Sequence, residues 1–279
     1  MGCVPVPVAV DSRYRGRVTE PPHEIVDESR GEPSPDRRQL RIEVGVMLAV
    51  TFGVSAVVAV LQLTDAVLSG LAGHRVRLNP NQSRYDLVNL GLNLASITQL
   101  VAWGCLGLYL LWRGGISPSR IGLGRLRFRP DLLGGLGLAA LIGVPGLLLY
   151  LLARGLGLNA EVEPSALADS WWRIPVLVIA AFANGFAEEA VVVGYLITRL
   201  RQLGLSQRWA VTVSAALRGA YHLYQGFGAG LGNVAMGLVF GAAWCRTGRL
   251  WPLVVAHGVI DTVAFVGYAL LSHHLGWLR

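Results

Sequence analysis

Residues 174–198 read IPVLVIAAFANGFAEEAVVVGYLIT, and this stretch decides the fold class. Its only charged or amide side chains are Asn184, Glu188 and Glu189, set in an otherwise apolar run. Roughly 20 helical residues cross the ~30 Å of hydrocarbon in a bilayer, so this run is long enough to span one. The pattern recurs along the chain, approximately at 43–66, 86–112, 131–153, 208–225, 228–245 and 250–272. Backbone groups find no water inside a bilayer, and strands of alternating polarity are absent, so helices are implied rather than a barrel. The expected fold is all-α, a polytopic transmembrane bundle of about seven spans. Composition agrees, with 53% hydrophobic and 15% charged residues, against about a quarter charged in ordinary soluble domains.

The charges are distributed as topology determinants. All 24 basic residues are Arg, and the net charge is +7. Seven Arg precede the first span, five lie in the 113–130 loop, three at 199–208 and two at 246–249. The opposite connections hold Arg75, Arg77, Arg84, Arg154, Arg173 and Arg279. Positive residues are retained in the cytoplasm, so the N-terminus is expected there and the C-terminus outside, in a multi-pass protein of the cell membrane. No basic face interleaved with aromatics appears, which argues against nucleic acid as a partner and leaves the lipid bilayer. Exclusive use of Arg suggests a GC-rich bacterial source.

Residues 1–40 are polar and Pro-rich, the composition of a disordered cytoplasmic tail. Residues 41–172 form an N-terminal three-span region and 173–279 a core holding the polar residues. No cleavable signal peptide is expected, and Val6 stands where a myristoylation motif has Ser or Thr. Cys3, Cys105 and Cys245 are far apart and read as free thiols. Gly237 and Gly241 form a GxxxG pair that suits close helix packing.

The last four spans carry Asn184, Glu188, Glu189, Arg218, His222, Asn233, His257 and Asp261. An Asp or Arg at the centre of a membrane helix costs about 2.5–3.5 kcal/mol on insertion scales, so these groups are expected to pair. Arg218 with His222, and His257 with Asp261, are four apart and share a helix face. Glu188 and Glu189 lie about 100° apart around their axis, so one can do chemistry while the other orients it. Asn184 and Asn233 read as interhelical hydrogen-bond formers outside the site. Carboxylates and histidines in a low-dielectric site suit water activation and oxyanion stabilisation. Two His with a carboxylate is also a catalytic zinc set. The depths disagree: Glu188 falls near mid-span, His257 about two turns from the cytoplasmic end, and His222 nearer the external end.

Over residues 175–270 these motifs resemble the CAAX-protease and bacteriocin-processing (CPBP) family of intramembrane proteases, also called the abortive-infection or type II CAAX prenyl endopeptidase family. That family shows Glu-Glu-x-x-x-Arg-Gly, Phe-x-x-x-His and His-x-x-x-Asn or Asp on successive helices. Here the stretches are Glu188-Glu-Ala-Val-Val-Val-Gly, Arg218-Gly-Ala-Tyr-His222 and His257-Gly-Val-Ile-Asp261. The resemblance implies that Glu188 is the general base and that Glu189 orients the site. It also implies that His222 and His257 bind the water or a metal, zinc or none, and that Asp261 completes the pocket. Two positions depart, with Val193 for the family's Arg and Arg218 for its Phe. Arg218 is expected to reach Glu189 and supply the charge that an Arg at 193 would have provided. Hydrolysis of a membrane-associated peptide substrate follows, against a noncatalytic scaffold or immunity protein that binds a peptide in the same pocket. An ion-coupled transporter would also keep buried ionisable groups, but no internal repeat supports it.

Overall fold

A computed structural model describes residues 36–271; the expected tail up to residue 35, Cys3 and Arg279 lie outside the described residues. The chain enters helix at Arg37, earlier than the expected boundary at 40, because the Asp36 carboxylate caps it by accepting from the Arg38 amide at 2.9 Å. The helices are α1 (Arg37–Val50), α2 (Phe52–Ser69), α3 (Asp86–Arg113), α4 (Phe128–Gly155), α5 (Arg173–Glu188), α6 (Leu196–Gln202), α7 (Gln207–Tyr221), α8 (Phe227–Thr247) and α9 (Trp251–Leu271). A π-helical segment, Glu189–Tyr195, joins α5 to α6 without interruption. The molecule is an all-α polytopic bundle.

Among the described residues six helices are long and apolar enough to cross a membrane, not seven. The exception is α7, with 15 residues. It stops at Tyr221 because His222–Gln225 fold into a tight turn and Gly226 follows at φ +116°, a conformation open to glycine. At about 22 Å, α7 still runs from one end of the bundle to the other. Its start follows α6, and the turn beyond it pairs with the segment after α4, through Ala160 N to Gln225 O and Phe227 N to Leu158 O, both 3.0 Å. The first span is broken at Thr51, whose backbone leaves the helical region while its hydroxyl donates back to Met47 O at 2.7 Å.

The Arg-rich connections gather at one end. There Gly122 passes against the Arg249 backbone, and the Arg249 guanidinium forks onto both oxygens of Asp131. At the other end two short strands, β1 (Arg75–Arg77) and β2 (Glu161–Glu163), pair in parallel, flanked by Arg75–Glu161 and Arg77–Glu163 ion pairs. These pairs are solvent-facing and add little stability.

At the centre, residues 187–197 are all buried, as expected of a helix that is apolar all round. They pack against Met47, Phe52, Leu111, Val211, Phe240 and Leu250, so one core joins the N-terminal helices to the polar region. Small residues set the closest approaches. A Cβ on Gly185 would lie 3.0 Å from Gly258 N, and one on Gly258 would lie 2.5 Å from the Phe182 ring. Gly237 and Gly241 play the same part between α8 and α7, facing Ala215 and Val211. Gly258→Val should therefore force α5 and α9 apart and cost about 1–3 kcal/mol, read as a lower Tm of the detergent-solubilised protein.

Candidate active site

Helix register brings the polar residues to one level. The Ser214 hydroxyl donates to Val192 O at 2.6 Å, which places α7 against the π-helical segment. Gly194 lies beside Leu250, so residues 195–202 overhang the start of α9. Counting from that contact, Glu188 is six residues along one helix and His257 seven along the other. The depth disagreement read from sequence came from treating every span as ending in one plane.

Glu189 is fully buried and forms the anchor. Its Oε1 accepts from Arg218 Nη2 at 2.7 Å and faces His257 Nδ1 at 2.8 Å. The Arg218–Glu189 contact anticipated from the two motif departures is thus present. Arg218 is itself fully buried, with its guanidinium 5.7 Å from the centre of the Phe240 ring. Its Nη1 lies 3.9 Å from Glu188 Oε2, so one cation faces two carboxylates.

Glu188 points elsewhere, as residues 100° apart must. Its Oε2 accepts from the Tyr221 hydroxyl at 2.6 Å, and its Oε1 accepts from Asn184 Nδ2 at 3.2 Å. His222 Nε2 is 3.8 Å from the same Oε1. That separation exceeds a direct hydrogen bond and suits a shared water. Among the described residues His222 Nε2 has no hydrogen-bond partner, and neither do Glu189 Oε2 or Arg218 Nε and Nη1. Asp261 Oδ2 accepts from Asn184 Nδ2 at 2.9 Å and lies 3.6 Å from His257 Nε2.

All six residues singled out from sequence, Glu188, Glu189, Arg218, His222, His257 and Asp261, therefore meet. Two more join them. Asn184, set aside as an interhelical bond former, is one, but the bond it makes is within the site, linking Glu188 on α5 to Asp261 on α9. Its spacing of four from Glu188 was the available signal. Tyr221 was not anticipated; it stacks on Phe52 with ring centres 4.9 Å apart. Asn233 stays outside, donating to Ala229 O of its own helix at 3.0 Å.

Catalytic zinc takes three protein ligands at about 2.0–2.3 Å. Among the described residues no group of three or more His, Cys, Asp or Glu is placed to hold a metal.

No curated protein and no solved structure matches the chain. Residues 170–263 match the family described as Type II CAAX prenyl endopeptidase Rce1-like. That segment supplies every side chain of the site, and the likeness to that family is confined to it.

Proposed function

We propose that this domain is an intramembrane endopeptidase that hydrolyses peptide bonds of a membrane-associated substrate with water activated by Glu188. The observation that carries the reading is the 3.8 Å pairing of Glu188 Oε1 with the unpartnered His222 Nε2, beside a buried cation. A water held between them gives a proton to Glu188 while its oxygen bonds to the peptide carbonyl carbon. The carbonyl electron pair moves to oxygen, where N–H donors and the Arg218 charge stabilise it. The C–N bond then breaks, and the protonated Glu188 returns its proton to the leaving amine. His257 has a carboxylate at each ring nitrogen, Glu189 at Nδ1 and Asp261 at Nε2, which fixes its ring plane and suits a donor role. The Arg-rich end of the bundle faces the cytoplasm, by the retention of positive charge.

The test is cleavage of a mixed peptide library by the detergent-purified protein, with and without a zinc chelator. Cleavage that the chelator leaves unchanged is expected. Chelator-sensitive cleavage would overturn the metal-free route, and a folded, monodisperse sample that cleaves nothing would favour a peptide-binding scaffold.

A further inference from the structure

His222 is placed by residues outside the helix that carries it. The turn after α7 is closed by Gln225 N donating to His222 O at 3.1 Å. It is then clamped from the α4–β2 connection, where Asn159 pairs with Gly226 in an antiparallel bridge. Asn159 is fully buried, and its Oδ1 accepts from Gly228 N at 2.9 Å and Ala229 N at 3.3 Å, which caps α8. A Cβ on Gly226 would lie 2.6 Å from Asn159 Cα, so the two backbones meet as closely as glycine permits. This clamp fixes where the Gln225 side chain emerges. Gln225 Nε2 lies 3.3 Å from His222 Nδ1 and 2.9 Å from the Tyr224 hydroxyl oxygen. In this amide orientation Gln225 donates, which makes His222 Nδ1 the acceptor and points to a ring proton on Nε2, the nitrogen that faces the Glu188 carboxylate.

We propose that Gln225 and Asn159 are positioning residues that hold His222 as the Nε2–H tautomer, so that His222 donates to the reacting oxygen and Glu188 alone is the base. The catalytic half of this statement rests on the peptidase reading; the tautomer does not. A donor on the water oxygen, beside an acceptor for its proton, leaves one lone pair free to attack. The same N–H then meets the tetrahedral oxygen. Asn159 lies outside residues 170–263, so the matched segment is completed by the N-terminal region.

NMR of the full chain in detergent, with isotopically labelled histidine, tests it directly. The His222 signals are assigned by their loss in His222→Gln. The wild type should show Nε2 protonated and Nδ1 bare. Gln225→Glu has nearly the same shape but presents an acceptor, and should move the proton to Nδ1. Asn159→Ala should give a mixture of the two forms. A wild-type His222 protonated at Nδ1, or a Gln225→Glu spectrum like the wild type, would overturn the proposal, and the wild-type spectrum decides even if a variant fails to fold. Where cleavage is observed, Gln225→Glu should lower kcat about 100-fold with KM little changed. The expected tautomer in a protein that cleaves nothing would sink the peptidase reading and leave the positioning of His222 standing.

Discussion

Glu188→Gln should abolish peptide cleavage, by about 100-fold to 10,000-fold in kcat, while leaving the Tm almost unchanged. The substitution removes the only role an amide cannot fill, acceptance of a proton from water. It retains much of the hydrogen bonding. Tyr221 and Asn184 donate to the two Glu188 oxygens, and the Tyr221 hydroxyl can turn to accept from the new amide while Asn184 keeps its oxygen partner. Glu189→Gln should behave in the opposite way. Its oxygen takes both Arg218 Nη2 and His257 Nδ1, and neutralising it leaves the buried guanidinium with only the more distant Glu188 carboxylate, at a cost of about 3–5 kcal/mol. Adjacent residues of one type thus separate by measurement, one read mainly in rate and the other mainly in Tm. Undiminished cleavage by Glu188→Gln would sink the proposed mechanism, whatever the Glu189 variant does.

The bundle was legible because a lipid-facing helix and a buried one are both apolar, and length alone marks a crossing. The same fact hid the interior breaks. Nothing in the apolar run around Thr51 marks the interruption between α1 and α2, and residues 189–195 carry no periodicity that distinguishes a π turn from an α turn. The fifth crossing was overrun because no charge or proline closely follows Tyr221, and Leu223 and Tyr224 extend the apolar run where the backbone turns. Within the site, charged residues were conspicuous against that background. Tyr221 was not, since a tyrosine in a membrane helix is unremarkable until its hydroxyl meets a carboxylate. Asn159 was beyond reach of local spacing: it stands 63 residues before His222, in a connection, and acts through backbone pairing.

Arg218→Ala is expected to damage the fold as severely as Glu189→Gln, costing about 3–5 kcal/mol, and to eliminate cleavage. The guanidinium is fully buried, and its removal leaves Glu189 facing only His257 while Glu188 loses its nearest fixed cation. A plain loss of activity would not separate a general collapse from a specific charge role, so the informative comparison is relocation. Val193 is fully buried and follows Glu189 by four residues on the same helix, close to one turn of the wide π-helical segment. Val193→Arg combined with Arg218→Phe returns a cation to Glu189 from its own helix and fills the α7 position with an apolar ring. The double variant should regain part of the lost Tm and part of the cleavage. Val193→Arg alone should be worse than wild type, because it adds a second buried cation and overfills a packed core. Full activity in Arg218→Ala would show that the site needs no charge at this point, and the exchange between positions 193 and 218 would then carry no functional meaning. A double variant no better than Arg218→Ala in either Tm or rate would show instead that the cation must approach Glu189 from α7, where it also faces Glu188.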